Sequence, residues 1–206
     1  MDNKLTVPGW IKDDEISIIH DLMENISIKS HTPQWAKGFE KKILDVGAFT
    51  GKLFSCLYEK FPHWKYVGVD PWEDQGVHFV KDWNADYFKP GNLLDRIVKE
   101  EDFIHYCPFA EGHKTYFEEF DTNEKFDIIV LSLISSIVDW HAVINKSYNF
   151  LKDDGFLVVR NMNITKTLKI GNHYFNHSEL MKDILNSSSM KFVSSEAGKK
   201  IQLWKK

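Results

Sequence analysis

Disulfides are the first thing this sequence cannot rely on. It holds only two cysteines, Cys56 and Cys107, too few for a stapled framework and without the spacing of a zinc site. Its nine histidines show no Cys/His ligand pattern, so no metal is expected. Excess positive charge is lacking as well. The formal net charge is −4, and phosphate contacts need clustered Lys and Arg, so nucleic acid is not the expected partner. The lysines near the end (Lys199, Lys200, Lys205 and Lys206) flank a short apolar run and read as solvated strand ends. No hydrophobic stretch suits a bilayer. The longest, Ile128 to Val138, is short and broken by serines. The opening MDNKLTVPGW has neither the charged start nor the apolar core of a secretory leader. These absences together lead to the expectation of a cytoplasmic protein that meets neither membrane nor nucleic acid; oligomeric state is left open.

What is present is enough apolar residue for a core. At 206 residues and 43% apolar content, one domain over residues 1–206 is expected. Residues 1–40 read as a helical N-terminal cap. There Ile16, Ile19, Leu22, Met23 and Ile26 form a helical stripe, with Asp13 and Asp14 where acids suit the dipole. From residue 42 short apolar runs alternate with helical patterns. Strands are expected at Lys42–Val46, Tyr66–Asp70, Phe103–Tyr106, Phe126–Leu131 and Phe156–Val159. A helix fits Leu53, Phe54, Leu57, Tyr58 and Phe61, closed by Pro62. Another fits Trp140, Ile144, Ser147, Tyr148 and Leu151. The tail reads as a helix near Ser178–Leu185 and two strands, Lys191–Ser195 and Lys200–Trp204. Alternation of this kind means an α/β fold: a doubly wound, three-layer Rossmann-like sheet, mostly parallel. The two closing strands are joined too tightly for a crossover and must be antiparallel.

In such sheets ligands sit beyond the carboxyl ends of the strands. After the first strand the chain runs Asp45-Val46-Gly47-Ala48-Phe49-Thr50-Gly51 into a helix. Gly47 permits a sharp turn and Gly51 a close approach. Thr50 is the expected N-cap, leaving helix-start amides suited to a carboxylate or a phosphate. Asp70 closes the second strand 19 positions after Gly51, where a nucleotide-binding sheet places an acid for ribose hydroxyls. Phe49 stands where the second glycine of G-x-G-x-x-G would admit a pyrophosphate. That disfavours a nicotinamide cofactor and an oxidoreductase, and favours a nucleoside without a diphosphate.

Asp45-Val46-Gly47-Ala48-Phe49-Thr50-Gly51 resembles the first motif of the class I methyltransferases that use S-adenosylmethionine (SAM). Gly68-Val69-Asp70-Pro71-Trp72 resembles their second. The segments 127–159 and 174–194 are similar to their later strands and helices, so the likeness covers roughly residues 40–206. Pro8-Gly9-Trp10-Ile11, with Asp70-Pro71-Trp72, resembles the branch of macrocin-type sugar and small-molecule O-methyltransferases. That branch carries an Asp after the fourth strand and a nearby Asp-His pair; this chain has Leu131-Ser132 and Ile137-Val138 there, so metal dependence is not carried over. The resemblance implies a seven-stranded sheet with the last strand inserted antiparallel. It also implies methyl transfer from SAM, leaving S-adenosylhomocysteine, to a small-molecule acceptor, with oxygen expected as the nucleophile.

The implied cofactor residues are Asp45 (facing the methionyl ammonium), Gly47, Ala48, Phe49, Gly51, Asp70, Pro71, Trp72, Phe109 and Ser132, with Trp72 and Phe109 as adenine neighbours. For a general base His141 and Asp139 are the candidates, because they follow the fourth strand and His titrates near neutrality; His78 ranks behind them. Phe79, Trp83 and Tyr87 share one helix face, which reads as core or as an aromatic lid. Asn161 and Asn163 follow the fifth strand and could orient an acceptor or satisfy loop backbone. Because no residue stands out as a base, a SAM-binding domain without catalysis remains the alternative.

Overall fold

The structure, a computed structural model, describes residues 7, 11–29, 41–72, 99–132, 140–160, 167–170, 173–176, 189–196 and 201–206. In chain order these form α1 (Asp13–Lys29), β1 (Lys41–Val46), α2 (Lys52–Leu57), β2 (Trp64–Asp70), α3 (Glu100–Tyr106), β3 (Glu111–Lys114), β4 (Phe126–Leu131) and α4 (Trp140–Phe150). There follow β5 (Leu151–Arg160), β6 (Thr167–Ile170), β7 (His173–Asn176), β8 (Lys191–Glu196) and β9 (Ile201–Lys205).

Seven strands make one sheet in the order β3-β2-β1-β4-β5-β9-β8, while β6 and β7 pair only with each other. From β3 to β5 the pairing is parallel; β9 runs antiparallel between β5 and β8. This is the expected Rossmann-like sheet with its last strand inserted in reverse. None of the described helices is long and apolar enough to cross a membrane.

Period-2 alternation sorts the strand residues between two cores. Leu44, Val46, Ile129, Leu131, Leu157 and Val159 meet Val143 and Ile144 of α4 on one face. On the other face Ile43, Ile128, Val130 and Val158 meet the stripe of α1, with Leu53, Phe54 and Leu57 of α2 and Phe103 of α3. Polar residues that share the parity of Ile43, Val130 and Val158 must therefore lie beneath α1. Asp45, Ser132 and Arg160 have that parity, and they stand at the carboxyl ends of β1, β4 and β5.

Two expectations need correction. Phe103–Tyr106 is the body of α3 and not a strand; the third strand is Glu111–Lys114. The apolar residues of EDFIHY fit either period, but Glu100, Glu101 and Asp102 in the first turn suit a helix dipole. Leu151 pairs with Phe126 as a strand residue instead of extending the preceding helix. The tail helix near Ser178–Leu185 lies outside the described residues.

Candidate functional site

The turn after β1 is bolted to its neighbours by backbone hydrogen bonds. The Gly47 N–H donates to the Val69 carbonyl at 2.8 Å, and the Ser132 N–H donates to the Val46 carbonyl at 2.8 Å. Gly47 holds φ at +81°, and a Cβ there would lie 2.6 Å from the Ser132 carbonyl oxygen. No L side chain fits such a position. Gly51 has φ +77°, and a Cβ would lie 2.4 Å from Cys107 Sγ; the close approach at this glycine is to α3 and not to a ligand. Gly51, not Thr50, takes the N-cap position of the six-residue α2, and no side chain caps it. Thr50 is buried.

Asp70 reaches across to this turn. Its Oδ2 accepts the Phe49 N–H at 3.1 Å and its Oδ1 accepts the Trp72 N–H at 2.9 Å. Trp72 closes the link by donating its indole N–H to the Phe49 carbonyl at 2.8 Å. Burial pushes the Asp70 carboxyl above its ordinary value, and the two N–H donors work against that rise. A carboxylate offers about four acceptor positions, and each oxygen has accepted one bond here. Two adjacent hydroxyls of a ribose suit the remaining pair. Pro71 is half-buried between these partners.

The structure places the two aromatic candidates in contacts with other rings. The Trp72 indole is buried against Phe103, with centroids 5.2 Å apart, so it braces the turn from below and offers no open face. Phe109 stacks on Tyr58 at 3.8 Å and meets Tyr66 edge-on. It precedes β3, at the amino ends of the strands, because the segment read as the third strand is a helix.

Beneath α1 runs a buried polar chain. The Ser132 hydroxyl donates to Asp45 Oδ1 at 2.8 Å. Arg160 donates from Nη1 to Ser132 Oγ at 3.0 Å and from Nη2 to Glu15 Oε2 at 2.9 Å. The Lys12 N–H also donates to Glu15 Oε2, at 2.9 Å. Burial pushes the Asp45 carboxyl up to about 7; the Ser132 hydrogen bond and the Arg160 charge oppose the rise, and the nearby Asp70 adds to it. Asp45 and Ser132 were legible in the sequence; Arg160 and Glu15 were not singled out. The signals were there. Arg160 ends the run FLVVR on the inward parity, and Glu15 lies on the same helical face as Ile19 and Leu22.

Between this chain and the turn lies a cavity of about 20 Å³, bordered by Ile11, Asp45, Phe49, Leu53, Ser132 and Arg160. That is room for one water. A wider groove of about 800 Å³ opens at the amino ends of the strands. There Asp127 pairs with Lys41 and Lys152, and ligands of open sheets do not bind at that end. His141 falls in the first turn of α4. Asp139, His78, Phe79, Trp83, Tyr87, Asn161 and Asn163 lie outside the described residues.

A family model described as a methyltransferase domain matches residues 23–194. The chain belongs to that family. Its fold is that of the class I, SAM-dependent methyltransferases. It is similar to an amino pentose methyltransferase from Micromonospora echinaspora solved with SAM bound, with a TM-score of 0.60 at 12% identity, covering 96% of this chain and 92% of that one. It is also similar to a sugar N-methyltransferase from a Streptoalloteichus species, with a TM-score of 0.57 at 12% identity, covering 94% and 87%. A third is the 1,6-didemethyltoxoflavin N1-methyltransferase of Burkholderia thailandensis, solved with its substrate and S-adenosylhomocysteine. There the TM-score is 0.52 at 14% identity, covering 94% and 79%. At these identities the likeness is one of fold. Among curated proteins none matches the sequence significantly.

Asp45 and Asp70 place two carboxylates at this edge, the acceptor type that the ammonium and the ribose hydroxyls of SAM would require.

Proposed function

We propose that this chain moves a methyl group from SAM to a small-molecule acceptor, with a hydroxyl oxygen as the nucleophile, in the cytoplasm. One observation carries the reading: the Asp70 carboxylate and the Gly47–Gly51 turn are joined by the Phe49 N–H at 3.1 Å, one strand apart at the carboxyl edge of the sheet. Asp70 takes the ribose hydroxyls. Asp45 takes the methionyl ammonium, with Ser132 steadying its carboxylate. Gly47, Ala48 and Phe49 form the floor under the amino-acid end, and α1 caps the acceptor side. SAM supplies a methyl group already activated on a sulfonium, so the protein's part is chiefly alignment at near-attack distance. His141, with Asp139, takes the acceptor proton, a contribution of about 10²–10⁴-fold for a positioned base.

Nitrogen is the second reading, favoured by the sugar N-methyltransferase and the 1,6-didemethyltoxoflavin N1-methyltransferase that share the fold. Incubation with SAM and matched panels of hydroxyl and amine acceptors decides between them. Release of S-adenosylhomocysteine, and the methylated atom assigned by NMR, are the readouts. Methylated hydroxyls support the proposal, and methylated amines support the second reading. Tight S-adenosylhomocysteine binding without turnover on either panel favours the SAM-binding domain that lacks catalysis.

A further inference from the structure

Glu15, Arg160, Ser132 and Asp45 come from α1, from β5, from the end of β4 and from β1, yet they form one unbroken run of buried hydrogen bonds. The Arg160 and Glu15 side chains are 3% and 5% exposed. The polarity of the run is fixed by chemistry. A guanidinium donates only and stays charged, so the Ser132 oxygen must accept from Arg160, and an ionised Asp45, which can only accept, takes the Ser132 hydrogen. Without Arg160 that hydroxyl is free to turn.

We propose that Arg160 is a positioning residue for cofactor capture: held by Glu15, it fixes Ser132 as a donor to Asp45 and favours the ionised form of that carboxylate, the form that the methionyl ammonium needs. This rests on the SAM reading above. Asp45 is faced by Asp70 from β2, Ser132 after β4, Arg160 from β5 and, behind Arg160, Glu15 from α1. Lys52 of α2 borders the same cavity, and Cys107 follows α3. Arg160 is the cation whose charge opposes burial at Asp45, and Glu15 neutralises part of that charge. The two residues should therefore act on Asp45 with opposite signs, which a purely structural role would not produce.

The test is a carboxyl ¹³C NMR titration of Asp45 in the ligand-free protein, assigned by loss of the signal in Asp45→Asn. Arg160→Met should raise the Asp45 midpoint by about one pH unit or more, Arg160→Lys should restore it, and Glu15→Gln should lower it. Calorimetry runs in parallel. The pH at which S-adenosylhomocysteine affinity is half lost should follow the same order, while 5′-methylthioadenosine, which lacks the ammonium, binds all the variants alike. Should Arg160→Met fail to fold, Arg160→Lys and Glu15→Gln carry the test, since one keeps the charge and the other the acceptor. A midpoint unmoved by Glu15→Gln, or moved by Arg160→Lys as far as by Arg160→Met, overturns the proposal. If the wild-type protein binds no S-adenosylhomocysteine, the SAM reading fails by itself, and the carboxyl titration still decides whether Arg160 governs Asp45.

Discussion

The Asp70 carboxylate accepts the Phe49 backbone N–H at 3.1 Å, across 21 positions of sequence. That bond makes the acid of β2 and the turn after β1 one object. It also changes what Asp70 does. Besides the ribose acceptors proposed for it, the carboxylate holds Phe49 at φ +52°, a left-handed conformation that costs a non-glycine residue about 1–3 kcal/mol. Under the proposed function, cofactor capture and turn geometry rest on one side chain.

Gly47→Ala tests the turn itself. The left-handed backbone alone should cost about 1–2 kcal/mol, and the Cβ placed 2.6 Å from the Ser132 carbonyl oxygen forces the end of β4 to shift as well. A lowered Tm together with weakened S-adenosylhomocysteine binding is the expected result. Normal binding with a normal Tm would mean that the turn has room to spare.

Asp45 produces two opposite pH trends. Burial raises its carboxyl to about 7 in the folded chain, against about 3.9 when unfolded. The folded state thus holds the proton more tightly. The associated stability is complete below the unfolded value and is lost as pH rises toward 7. Cofactor affinity should move the other way, because an ammonium needs the ionised form. Denaturant melts of wild type against Asp45→Asn should show the wild type losing ground as pH rises from 4 to about 7. Calorimetry should show SAM binding strengthening over the upper part of that range. Parallel trends, or none, would contradict the assignment of Asp45.

Phe109 should matter to stability and not to the cofactor. Removing its stack on Tyr58 by Phe109→Ala should cost about 0.5–1.5 kcal/mol in pair energy, with further loss from reduced burial. S-adenosylhomocysteine affinity should stay within about twofold, a change of about 0.4 kcal/mol. A large drop in affinity would return Phe109 to the adenine pocket.

His141→Ala should lower turnover on an accepted substrate by about 10²–10⁴-fold while leaving SAM affinity unchanged. Rate and calorimetry are read on the same preparation, and unaltered turnover removes His141 as the base.

The fold was largely legible in the sequence because most of its strands are continuous apolar runs, such as KILDV, YVGVD and FDIIVL, whose burial on both faces leaves little ambiguity. Leu44 and Val46 face one core and Ile43 the other, as a parallel interior strand requires. The third strand was not legible, because Glu111-Gly112-His113-Lys114 is a polar edge strand with little to bury. The nearby Phe103 and Ile104 drew the assignment to the helix before it, and Phe109 was misplaced with them. At the site, Asp45 and Asp70 stood out because one precedes the glycine turn after β1 and the other closes the apolar run of β2. Arg160 closes one too, yet its meaning comes from Glu15, 145 positions away, and no local pattern joins the two.

The most direct measurement is calorimetric titration of S-adenosylhomocysteine into the wild-type chain and into Asp70→Asn, with thermal melts of both. The account predicts one site per wild-type chain and at least about tenfold weaker binding in the variant, about 1.4 kcal/mol, while both proteins melt cooperatively. Equal affinity in the two, or no binding to the wild type, would contradict it.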